Sequence, residues 1–87
     1  MIASSEHNIW HVSVPLEPHE IVDTVGCGDA LTAGLAYSLH WRKSEDSMFA
    51  YAAACAAAAA MHPGPSHFEK SELKAILERT AVKNALA

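Results

Sequence analysis

The residues with the most chemistry in them are Gly26, Cys27, Gly28 and Asp29. Glycines flank Cys27, so the backbone there can turn sharply and approach a ligand with no β-carbon in the way. A helical apolar pattern follows at once in Ala30-Leu31-Thr32-Ala33-Gly34-Leu35, which puts the turn at a helix N-terminus. In that position the N–H groups that no helical carbonyl reaches, and the positive end of the helix dipole, favour an anion. Asp29 sets a carboxylate beside it. An anion cradle next to a carboxylate suits phosphoryl transfer to a hydroxyl, one part steadying the transferring phosphoryl and the other accepting the proton. The same residues also make an ordinary loop-to-helix turn, with the glycines serving geometry and Asp29 acting as an N-cap or first-turn acid.

The elements that must hold this turn are legible on both sides of it. Met1-Ile2-Ala3-Ser4 reads as a short strand and Ser5-Glu6-His7-Asn8 as a polar turn. Ile9 to Val14 then alternates, with Trp10, Val12 and Val14 on one face and Ile9, His11 and Ser13 on the other, giving a β-hairpin. Pro15 and Pro18 close it, and Glu20-Ile21-Val22 is expected to run extended into the glycine turn. Beyond the turn, Ala30 to about Trp41 carries Leu31, Leu35 and Leu39 at helical spacing, with Gly34 marking a close approach to a neighbour. Ser44 is the expected N-cap of a second helix, with Glu45 and Asp46 in its first turn, running through an alanine-rich stretch to about Met61. Alanine has the highest helix propensity and lets neighbours come close, so this stretch reads as a packed central helix. Pro63-Gly64-Pro65 ends the pattern. A third helix follows, capped by Ser66 with Glu69 or by Ser71, with Leu73, Ile76, Leu77, Thr80 and Ala81 on one face. Residues Lys83 to Ala87 are expected to fray.

Taken whole, the string Asp23-Thr24-x-Gly26-x-Gly28-Asp29, followed after three residues by Ala33-Gly34-Leu35-Ala36, resembles the C-terminal signature of the ribokinase-like (PfkB) carbohydrate kinases. The alanine-rich helix and Pro63-Gly64-Pro65-Ser66-His67-Phe68 are similar to the branch that phosphorylates sugar phosphates, the 1-phosphofructokinase and tagatose-6-phosphate kinase group. The resemblance implies an α/β fold, with this chain as a single partial domain over 1–87: the C-terminal part of such a kinase, whose sugar-binding part would precede Met1. It implies that Asp29 is the catalytic base and that the backbone N–H groups of Gly26, Cys27 and Gly28 form the anion hole for ATP. Cys27 stands where the family more often has alanine, a mild departure because the donors are backbone. By the same resemblance, Mg²⁺ accompanies the ATP, the acceptor is a hydroxyl of a ketohexose phosphate, and the alanine-rich helix borders the adenine pocket. The 87 residues by themselves are expected to be inactive, and the competing reading is a non-catalytic, self-associating module.

Composition agrees with a small α/β unit. At 87 residues the chain is one domain at most, and much of its 51% apolar content is alanine, which buries little. A net charge of −4 argues against nucleic acid or an anionic membrane as partner. No secretory signal or membrane-length apolar run is visible, so the expected compartment is the cytoplasm. Cys27 and Cys55 fall in no metal or redox spacing and read as thiols. The six histidines form no metal-binding motif, no P-loop or dinucleotide fingerprint occurs, and Trp10 and Trp41 read as packing residues. Helix faces built for burial are expected to make the chain a homo-oligomer.

Overall fold

The computed structural model describes residues 1–4, 8–22, 26–62 and 70–85. The elements are β1 (Ile2–Ser4), β2 (Ile9–Ser13), a 3₁₀ turn over Pro18–Glu20, α1 (Cys27–His40), α2 (Glu45–Ala60), α3 (Lys70–Arg79) and β3 (Ala81–Asn84). This is the expected α/β arrangement: a small antiparallel sheet with three helices. Ser5–His7, Asp23–Val25, the double-proline segment with the Ser66–Glu69 cap, and the last two residues lie outside the described residues.

β1 and β2 form the hairpin, with Ile2 opposite His11 and Ser4 opposite Ile9. Val12 is buried, and Trp10 and Val14 on its face are half-buried, whereas His11 and Ser13 are exposed. The fraying expected at the C-terminus does not hold through residue 84. Residues 81–84 instead pair antiparallel with β2, Val82 opposite Val12, and the Ala85 N–H donates to the Ile9 carbonyl at 2.7 Å. The sheet order is therefore β1-β2-β3. A short strand gains stability from a partner's unpaired edge, which local composition does not reveal. The segment expected to be extended also begins differently, because Glu20 ends the 3₁₀ turn and only then does Ile21 become extended (φ −86°, ψ 107°).

α2 is the centre of the molecule and packs against α1, α3, β2 and β3. Its Ala52–Cys55 and Ala57–Ala60 are all buried, and they form the core with Ala30, Leu73 and Ile76. Ser44 is the N-cap as expected, although its hydroxyl meets the Ser47 hydroxyl at 3.1 Å and not a helix N–H. Sheet and helix are tied at this end, where Asn8 Nδ2 and Trp10 Nε1 donate to Glu45 Oε1 at 3.0 and 3.1 Å. Asn84 Nδ2 in turn donates to Asn8 Oδ1 at 2.6 Å.

α1 buries a different stripe from the expected leucines. Ala30, Gly34 and Ser38 face inward, Leu31 and Leu35 are half-buried, and Leu39 is 65% exposed. Close approach of two helix backbones selects the smallest side chains, so the leucines move to the flank. Trp41, expected to pack, is likewise exposed. α3 buries Leu73 and Ile76 as expected, but Ser71 lies within the helix and Ala81 has already left it for β3.

Candidate anion-binding turn

The turn is mounted on α1. Gly26 is its N-cap at φ 86°, a left-handed conformation that favours glycine. The first intrahelical bond runs from the Ala30 N–H to the Gly26 carbonyl at 2.9 Å. The N–H groups of Cys27, Gly28 and Asp29 thus belong to the first turn, where no carbonyl four residues back lies within the helix. Gly28 and Asp29 are exposed. Cys27 sends its side chain onto the hydrophobic core, leaving its backbone as the group available to a ligand.

Gly28 differs from Gly26. Among the described residues, a β-carbon placed on it would meet nothing within 4 Å, and its backbone is helical. Glycine in a helix costs roughly 0.5–1 kcal/mol relative to alanine, and no described contact of this chain asks for it there. The Thr32 hydroxyl, one turn on, donates to the Gly28 carbonyl at 3.0 Å. A hydroxyl four residues after the second glycine was the one signal for it in the sequence.

Behind the turn, the Val22 N–H donates to the Ala60 carbonyl at 2.7 Å. Ala60 is the last residue of α2, so Val22, four residues before Gly26, is held at the end of the central helix. Being purely backbone, this bond has no signature in residue types. The expected site residues Gly26, Cys27, Gly28 and Asp29 thus share one helical first turn. The signature residues Asp23 and Thr24 lie outside the described residues. Among the described residues no group of three His, Cys, Asp or Glu could hold a metal ion, and no helix is long and apolar enough to cross a membrane.

Comparison with known proteins gives this turn a context. The family model for pfkB family carbohydrate kinases matches residues 1–72, from β1 into the start of α3. The bifunctional protein HldE of Azorhizobium caulinodans is 40% identical over 72 residues, covering 83% of this chain and 15% of that protein. The family match takes in the glycine turn and both helices that hold it. The chain belongs to the pfkB family of carbohydrate kinases.

Proposed function

We propose that these residues are the phosphoryl-side, C-terminal part of a kinase that transfers the γ-phosphoryl of ATP to a hydroxyl of a ketohexose phosphate. In this reading the first-turn N–H groups of α1, with that of Gly26, steady the γ-phosphate. Asp29 takes the proton from the acceptor hydroxyl. Mg²⁺ arrives with the nucleotide as part of the substrate. The sugar side of the site comes from outside the 87 residues, in keeping with the small share of its relative that the chain spans. Exposed apolar residues support a self-associating chain, and two free thiols suit the cytoplasm.

The observation that carries the reading is Gly28: no described residue stands within 4 Å of where its side chain would begin, at a helix N-terminus and beside a carboxylate. The experiment is a titration of backbone amide chemical shifts with phosphate and ATP. Amides of Gly26 to Asp29 should move, with affinity no better than about millimolar, ~4 kcal/mol. Gly28→Ala should leave thermal stability equal or higher while abolishing the response, because only the ligand needs the space. Asp29→Asn should strengthen binding slightly by removing like charge. Amides that stay still, or weaker binding in Asp29→Asn, would reduce the turn to a structural one. The 87-residue chain should not turn over fructose 1-phosphate or tagatose 6-phosphate, since positioning the acceptor supplies much of the catalysis.

A further inference from the structure

We propose that Gly34 is a positioning residue for the phosphoryl site, working with the Val22–Ala60 hydrogen bond to fix where the Gly26–Asp29 turn stands. The inference rests on the anion-binding reading of that turn. A β-carbon on Gly34 would lie 3.0 Å from the Ala52 Cα, 3.1 Å from the Cys55 Sγ and 3.4 Å from the Cys55 Cβ. A thiol can rotate aside, but a backbone Cα in the middle of a buried helix cannot. The axis of α1 therefore has to move away from α2 to admit even one methyl. Gly34 stands six residues beyond Gly28, about 9 Å along a rigid helix, so such a movement is carried to the first turn.

The other end of the segment is referenced to the same helix. The Val22 N–H reaches the carbonyl of Ala60 at 2.7 Å, so the chain touches α2 both before and after the turn. Between these anchors nothing described packs on Gly28, and Asp29 is exposed. The anchors, with the Cys27 side chain on the core, locate the donors. Donors for a transferring phosphoryl act only when held within about 0.5 Å of the productive geometry, which makes a shift of a few tenths of an ångström consequential.

The test is amide chemical-shift titration of the full chain with inorganic phosphate, in the wild type and three variants. Gly34→Ala should keep its helical circular dichroism, displace the ligand-free signals of Cys27, Gly28 and Asp29, and weaken phosphate binding at least threefold. Val22→Pro, which removes the donor to Ala60, should do the same, and it decides the matter if Gly34→Ala does not fold. Ile76→Val trims the core on α3 and serves as the control for a general loss of stability, lowering the melting temperature with phosphate affinity unchanged. A responding wild type with unmoved signals and affinity in the folded anchor variants would overturn the positioning role alone. Equal weakening in Ile76→Val would overturn it too. A wild type that ignores phosphate would sink the anion-binding reading and this inference with it.

Discussion

Arg42 and Gly26 both have a positive φ at opposite ends of α1, and only one of them suits its residue type. Gly26 has φ 86° and Arg42 has φ 52°, the only non-glycine with positive φ among the described residues. At Arg42 the reason is the Schellman close of the helix. The Lys43 N–H donates to the Ser38 carbonyl at 3.0 Å, and the Arg42 N–H to the Leu39 carbonyl at 3.1 Å. The motif's left-handed position is normally glycine because a β-carbon there costs roughly 1–2 kcal/mol. Arg42→Gly should therefore stabilise the chain by about 0.5–1 kcal/mol, the flexibility gained by the unfolded state taking back part of the relief. Gly26→Ala should do the reverse, by about 1 kcal/mol or more. Urea unfolding checks both: the midpoint should rise for the first and fall for the second, each with unchanged slope. A lower midpoint in Arg42→Gly would mean that the arginine side chain contributes more than its backbone costs.

Between elements, the link most open to measurement joins the 3₁₀ turn to the end of α3. The Arg79 guanidinium grips the Glu20 carboxylate with both nitrogens, at 3.0 and 2.9 Å, and also donates to the Pro15 carbonyl. The Arg79 hydrogen bonds hold Glu20 down to about 2, from an ordinary 4.5. Because the folded value is depressed, the contribution is complete above about 4.5 and is lost as pH falls from there through about 2. Thermal melts across that window should decline in the wild type and decline less in Arg79→Gln, with the difference shrinking in high salt. Parallel curves for the two proteins would show that the pair does not report on folding. Such long-range partnerships are what the sequence conceals. The hairpin faces, the extent of α2 and the close approach at Gly34 follow from alternation, alanine propensity and a glycine, all of them local. The buried stripe of α1 departs from the leucine pattern because a hydrophobic pattern weights side chains by size, whereas helix packing this close selects Ala30, Gly34 and Ser38. β3 is not legible in the sequence because Ala-Val-Lys-Asn has little strand character until β2 offers its edge. The candidate turn was legible because one segment supplies all its donors, while its anchor from Val22 to Ala60 was invisible.

For the molecule as a whole, the question is where the large apolar side chains go. The core is mostly alanine, with Ala52, Ala54, Ala58 and Ala59 at 0% exposure, while Ile2 is 69%, Leu39 65%, Trp41 62% and Val22 58% exposed. A fully buried leucine or isoleucine contributes about 1.5–3 kcal/mol, so the chain leaves much of its strongest apolar surface in water. Among the described residues, β1 is a three-residue edge strand with one side unpaired in the sheet order. Net charge is only −4, a weak repulsion between copies at physiological salt. Burial of the flank of α1 against a second copy would answer both the apolar exposure and the small core. The 87-residue chain should accordingly be at least dimeric at micromolar concentration in sedimentation velocity. Leu39→Glu, which places a charge on that flank without touching the buried Ala30, Gly34 and Ser38, should weaken association about tenfold or more, ~1.4 kcal/mol. It should leave the helical circular dichroism of the monomer intact. A well-folded wild-type monomer that shows no concentration dependence would mean that these side chains find cover within one chain in solution, and the self-association reading would fall.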